Sequence, residues 1–189
     1  MKISETDILI VPGLGNASPD DWQGRWLARM PTARCVEQTD WHKPQREAWV
    51  DALVAAVAEA KKPVVLVAHS VGIITLAHAA ALLDKSKVAG AFMVGVSDWE
   101  RPEMAEKFGD HGFDPVPHAP FGFPAVLLAS SNDPTCEVER AEVWAAAWGA
   151  RFVVVGDMGH FNAASGHGPW PEGMLSFAQF IAALTPPAA

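Results

Sequence analysis

The sequence predicts an α/β protein with a mostly parallel sheet buried on both faces, and three observations carry that expectation. Six short apolar runs punctuate the chain, at 8–11, 33–37, 63–68, 88–94, 125–129 and 152–155. Several are nearly continuous Val, Ile and Leu, as in Val65-Leu66-Val67, which suits strands covered by helices on both sides. Longer, Ala-rich helical patterns separate the runs, and such alternation builds βαβ units with right-handed crossovers.

The run at 8–11 leads through a Gly-containing turn into a helical pattern at 19–30. The second run, 33–37, is followed by a helix over 46–60, and the third, 63–68, passes directly into an apolar helix over 71–83. After the fourth run the rhythm breaks: 95–124 has no clear periodicity and is loaded with Pro, Gly, His and aromatic residues. Structureless loops beyond ~12–15 residues are usually functional or disordered. Following a core strand directly, this one is expected to be an ordered loop or small helical lid that lines a site. The strand at 125–129, a helix at 138–148, the strand at 152–155 and a helix at 171–184 complete the pattern. With 189 residues and no internal repeat, a single domain spanning 1–189 is expected.

Half the residues are hydrophobic and 19% are charged, enough for a sizeable core and too apolar for disorder. The net charge of −8 argues against nucleic acid and against an anionic membrane surface as partners, since both need clustered Lys and Arg. Only Cys35 and Cys136 occur, far apart, so neither a disulfide framework nor a Cys-based metal site is expected. Glu5 and Asp7 stand where a secretory signal carries its apolar stretch, and no apolar run approaches the ~20 residues of a membrane span. A cytoplasmic protein without cofactor or metal is the resulting expectation.

Ser70 lies where the third strand turns into its helix, in Ala68-His69-Ser70-Val71-Gly72. A serine on such a turn has its hydroxyl pushed out at the C-terminal edge of the sheet. Small residues are needed two positions to either side, because strand and helix backbones pass close to the turn. Gly72 meets that need, and Ala68 stands where the G-x-S-x-G pattern has its first glycine. The competing reading is that Ser70 merely caps the helix.

A serine nucleophile needs a base to take its proton. Of seven histidines, His160 follows the last strand in Gly156-Asp157-Met158-Gly159-His160, at the same sheet edge as Ser70. Asp133, in Ser131-Asn132-Asp133-Pro134 after the fifth strand, is the expected orienting acid, with Asp98 after the fourth strand as its rival. The order Ser, Asp, His is that of α/β-hydrolases. His69 is expected to point away from Ser70, His78 to be packed or on the surface, His111 and His118 to be exposed or else to line a pocket, and His167 to lie too far from the strand end. Donors for an oxyanion are expected from the backbone N–H groups of Val71 and Leu14, with Gly13 allowing the sharp turn after the first strand. Gly13-Leu14-Gly15 also resembles half a dinucleotide fingerprint, but its third glycine is absent. Gly13, Trp41, His42, Trp99 and Phe161 are the candidates for the substrate pocket. Phe108, Phe113, Phe121 and Phe123 either join it or pack a lid against the sheet.

With these residues in view, the chain resembles the small serine hydrolases typified by the retinoblastoma-binding serine hydrolase and its bacterial relatives. The resemblance spans nearly the whole chain. It rests on Val11-Pro12-Gly13 with Trp22, Asp40-Trp41 with Pro44 and Trp49, His69-Ser70-Val71-Gly72, Ser131-Asn132-Asp133-Pro134 and Gly159-His160-Phe161-Asn162-Ala163. The bacterial branch is similar again at Ser165-Gly166-His167-Gly168-Pro169-Trp170-Pro171. The resemblance implies a three-layer α/β/α sandwich, a minimal α/β-hydrolase fold of about six strands in the order 2-1-3-4-5-6. It also implies Ser70, Asp133 and His160 as a triad.

The function expected from all this is hydrolysis of a small ester, thioester or amide through an acyl-enzyme, carboxylesterase-like with amidase or peptidase action as variants. The partner is then a small-molecule acyl substrate at an open, shallow site that prefers short acyl groups. The alternatives are a catalytically weak protein-binding module on a hydrolase scaffold, whose partner the sequence does not name, and a flavodoxin-like nucleotide binder with the same strand order.

Overall fold

The structure is a computed structural model and describes residues 1–187; 188–189 lie outside the described residues. Six strands form one sheet: β1 (Asp7–Val11), β2 (Ala33–Cys35), β3 (Val64–His69), β4 (Val88–Val94), β5 (Ala125–Ala129) and β6 (Arg151–Val154). Their order is β2-β1-β3-β4-β5-β6, and every neighbouring pair is parallel.

Each parallel connection needs a crossover, and helices supply all of them. These are α1 (Trp22–Arg29), α2 (Arg46–Glu59), α3 (Val71–Ala79), α4 (Pro102–Phe108) and α5 (Val138–Trp148); α6 (Pro171–Ala183) closes the chain. Successive side chains of a strand point to opposite faces, and here both faces are covered. Ile8 and Ile10 of β1 pack with Trp22 and Trp26 of α1 and Phe177 and Ile181 of α6. Leu9 and Val11 pack on the other side with Trp49 and Leu53 of α2, Ile73 and Leu76 of α3, and Trp144 of α5. That double burial is the physical reason for the unbroken Val/Ile/Leu runs. The architecture is the expected three-layer α/β/α sandwich with the minimal α/β-hydrolase sheet.

Some element ends fall short of the sequence expectation. β2 stops at Cys35, short of the expected 37, and α3 ends at Ala79, after which the chain passes into turns. A short helix, α4, lies within the segment 95–124, in keeping with the expected ordered loop or small helical lid. It spans seven residues, starting at Pro102 and stopping before Gly109, whose φ of 66° few other residues tolerate. Among the described residues, no helix is long and apolar enough to cross a membrane.

The sheet order sets the site. From β1 the chain leaves to α1 on one face, and from the adjacent β3 it leaves to α3 on the other. Such a topological switch point opens a crevice at the C-terminal strand ends. The two backbones pass very close there. A Cβ on Gly72 would lie 2.3 Å from the Val11 carbonyl oxygen and 2.7 Å from that of Pro12. Gly72→Ala is therefore expected to destabilise the fold by about 1–3 kcal/mol, as overpacking of a rigid contact does. A urea midpoint indistinguishable from that of the wild type would contradict this close contact.

Candidate active site

Ser70 occupies the turn between β3 and α3 with φ 56° and ψ −130°, a conformation costly for any residue but glycine. The surroundings hold it there: its N–H donates to the Gly95 carbonyl (3.0 Å) and its own carbonyl accepts from Ile73 N–H (3.0 Å). Its side chain caps no helical N–H. The hydroxyl instead reaches the His160 ring, with Oγ 2.9 Å from Nε2. The helix-cap alternative is thereby set aside by geometry. Gly13 lies directly against it, since a Cβ there would be 2.6 Å from Ser70 Cβ and 3.1 Å from Oγ.

His160 sits on the turn after β6. Two groups next to β5 pin that turn: Ser130 Oγ accepts from Met158 N–H (2.9 Å) and Asn132 Oδ1 accepts from Gly159 N–H (2.7 Å). On its far side, His160 Nδ1 lies 2.9 Å from Asp133 Oδ2 and 3.1 Å from Oδ1. A carboxylate can only accept, so Nδ1 carries the proton and Nε2 turns its lone pair to the Ser70 hydroxyl. Asp133 is 4% exposed and His160 13%, so the pair works largely out of water. Thr135 closes the arrangement by donating its N–H (2.9 Å) and its hydroxyl (2.8 Å) to Asp133 Oδ1.

Asp98, the rival acid, is turned elsewhere. Its carboxylate lies 3.7 Å from Arg140 and 3.9 Å from Arg101 and accepts the Glu100 N–H (3.0 Å). Burial pushes its pKa up, with the two arginines pulling against that shift. Arg140 also pairs with Glu100 and stacks on Trp144, 4.7 Å from the ring centroid. This cluster ties 98–101 to α5.

A cavity of about 340 Å³ opens beside Ser70. Of the pocket candidates, Gly13, Trp99 and Phe161 line it, as do Leu14, Met104 and Phe108. Trp41 and His42 do not, which corrects their assignment. Trp41 packs edge-on against Trp49 (5.7 Å between centroids) and accepts the Gly15 N–H on its carbonyl, so it braces the turn after β1 from behind. His42 is exposed, its N–H held by Asp40 Oδ1 at 2.8 Å. The segment 95–124 divides in two: Ser97, Trp99, Met104, Lys107 and Phe108 face the cavity, whereas Phe113, Phe121 and Phe123 are buried in the core. His111, expected in solvent or lining a pocket, is buried with Nδ1 accepting from Phe113 N–H (3.1 Å). The N–H groups of Leu14 and Val71 meet no protein acceptor among the described residues. Neither Ser97 nor Thr135 stands out in the sequence, for a small hydroxyl on a loop has no pattern of its own.

His69 points away from Ser70, its Nε2–H donating to the His160 carbonyl at 2.9 Å. Burial, reinforced by the neighbouring His160, pushes its pKa down to about 3, so it stays neutral. The ring thus steadies the backbone that carries His160.

A profile described as serine hydrolase matches residues 8–179. Among solved structures, the chain is similar to a YdeN-like hydrolase from Pectobacterium atrosepticum, with 30% identity and a TM-score of 0.81 over 94% of this chain and 92% of that one. It is also similar to the ydeN gene product of B. subtilis, at 19% identity and a TM-score of 0.72 over 94% and 99% of the two chains. A protein described as the non-heme bromoperoxidase BpoC of Mycobacterium tuberculosis shares the fold at 12% identity, with a TM-score of 0.69 over 94% and 92%. No curated protein matches.

The state of His69 has a consequence for acid stability. As pH falls, the unfolded chain protonates this residue near 6.5 and the folded chain only near about 3. Within that window the unfolded state binds more protons, so His69 makes stability fall with falling pH by on the order of 1.4 kcal/mol per unit. His69→Gln, which keeps a donor, is expected to flatten the acid limb of a stability profile between those values. An acid limb equally steep in the variant would show that His69 is not held neutral.

Proposed function

The chain belongs to the serine hydrolase family, and from that premise we propose that it cleaves a small ester, thioester or amide through an acyl-enzyme on Ser70. One observation carries the reading. Ser70, His160 and Asp133, each from a different strand end, form an unbroken hydrogen-bonded set beside a cavity.

In the proposed mechanism, Ser70 Oγ attacks the acyl carbon while its proton passes to His160 Nε2. Asp133 stabilises the resulting imidazolium through Nδ1–H and holds the ring in the tautomer that can accept. The carbonyl π electrons move onto oxygen, and the N–H groups of Leu14 and Val71 are the donors assigned to that oxyanion. Each such donor is worth on the order of 3 kcal/mol in known cases. The leaving group then takes the proton from His160, and water repeats the sequence to release the acid and restore Ser70.

Trp99, Phe108 and Met104 supply an apolar wall for the acyl group, with the first part of 95–124, residues 97–108, acting as the site-lining element of the domain. The small cavity and its position at an open sheet edge favour short acyl chains and carboxylesterase-like action over amide cleavage. The unpaired thiols of Cys35 and Cys136 are in keeping with work in a reducing cytoplasm.

A fluorophosphonate probe is expected to label the protein, and Ser70→Ala to abolish labelling; normal labelling of that variant would refute Ser70 as nucleophile. Across nitrophenyl esters of graded length, kcat/KM is expected to fall from acetate and butyrate to the long chains, and the reverse order would contradict a short-acyl site. Asp133→Asn is expected to lower kcat by on the order of 10⁴-fold, as loss of the orienting acid does elsewhere. Asp98→Asn should spare turnover, and the opposite pattern would move the acid to Asp98.

A further inference from the structure

Ser97 lies three residues beyond β4, is 6% exposed, and faces the nucleophile. Its Oγ is 3.3 Å from Ser70 Oγ and 2.9 Å from Trp99 Nε1. The proton roles in this group follow from chemistry alone. Asp133 accepts, so His160 Nδ1 donates to it and Nε2 accepts the Ser70 proton. The indole N–H of Trp99 is a donor only and occupies a lone pair of Ser97 Oγ. The Ser97 proton is then the one left to point at Ser70 Oγ.

Resting on the Ser70 acyl-enzyme reading, we propose that Ser97 is a further catalytic residue, a hydroxyl donor to the nucleophilic oxygen, with Trp99 as its positioning residue. As the Ser70 proton passes to His160, Oγ gains negative charge before its bond to the acyl carbon is complete. A hydroxyl aimed at it stabilises that charge. When the acyl-enzyme later breaks down, the same donor eases departure of Oγ, which recovers its proton from His160. Ser97 keeps its own proton throughout, so no atom or electron is left over.

The length of the contact matters. At 3.3 Å it exceeds the usual 2.5–3.0 Å of an O–H···O bond, so the resting enzyme gains little from it. The bond tightens as Oγ becomes charged, and only interactions stronger in the transition state than in the ground state raise kcat. Trp99 narrows the directions open to the Ser97 proton by holding one lone pair, and the indole is itself fixed: it is 3% exposed, between Phe108 (5.0 Å between centroids) and Phe113 (5.3 Å).

The test uses the full chain, the second-order rate of fluorophosphonate labelling, and steady-state hydrolysis of nitrophenyl acetate. Ser97→Ala is expected to slow labelling and lower kcat roughly tenfold, with KM within about twofold, the size and pattern expected for one lost transition-state hydrogen bond. Trp99→Phe keeps the aromatic wall and removes the N–H; it should slow labelling partially, and should add nothing in the Ser97→Ala background, as coupled neighbours do. Wild-type labelling by Ser97→Ala, a defect confined to KM, or additive losses in the double variant would overturn the proposal. Should Ser97→Ala not fold, a wild-type labelling rate for Trp99→Phe would overturn it alone. If Ser70→Ala still labels, the acyl-enzyme reading falls and takes this proposal with it. Labelling that depends on Ser70 but is indifferent to Ser97 removes the Ser97 role only.

Discussion

Everything at the site depends on the close passage of two backbones, the turn after β1 and the start of α3. Glycine is required at both contact points, for a Cβ on Gly72 would strike the Val11 carbonyl and one on Gly13 would strike Ser70 itself. This contact lets the chain reverse at Ser70 with a positive φ, and that reversal lifts the hydroxyl off the helix end and toward His160. A looser approach would let Ser70 relax into an ordinary helix cap. The strain is balanced by packing around it: Val71, Ile73 and Ile74 are fully buried, and Gly95 accepts the Ser70 N–H from the neighbouring strand end.

Around that fixed point the other groups are placed by short, local devices. Asn132 and Ser130 hold the turn that carries His160, His69 braces its backbone, and Thr135 orients the Asp133 carboxylate. None of these groups alters the fold, yet each removes a degree of freedom from the Ser70, His160 and Asp133 set. A loop-borne site gains its precision in this way, through neighbours whose own positions are locked. The neutrality of His69 belongs to the same design, because a charged ring in that position would repel a His160 that must itself take up a proton.

The sheet was legible because burial on both faces leaves β4 and β5 wholly apolar and β3 apolar up to His69, whereas the strand order came from the family resemblance. The short edge strands were less so: β2 has three residues and β6 begins at the exposed Arg151, so their ends follow pairing rather than composition. The bounds of α4, within the segment expected to be an ordered loop or small helical lid, were not legible because seven residues make barely two turns, too few for a period to emerge. Strand-end logic put Ser70, Asp133 and His160 on one edge correctly, but it fixes which edge a residue occupies and not which way its side chain turns. Trp41 and His42 follow β2 at that same edge, yet Trp41 turns back onto Trp49 and His42 into solvent. Asp98 met the same rule as Asp133 and is drawn off by its near neighbour Arg101 and by Arg140, which lies far away in sequence. Ser97 and Thr135 depend wholly on three-dimensional placement.

The most direct test of the central claim is to look for the covalent intermediate. The wild-type protein would be mixed with nitrophenyl acetate, quenched in acid within the first turnovers, and its intact mass and digested peptides measured. An acyl-enzyme on Ser70 predicts one added acetyl group per chain, located on the peptide that contains His69-Ser70-Val71. Turnover without any adduct, or an acetyl group on a different residue, would contradict it.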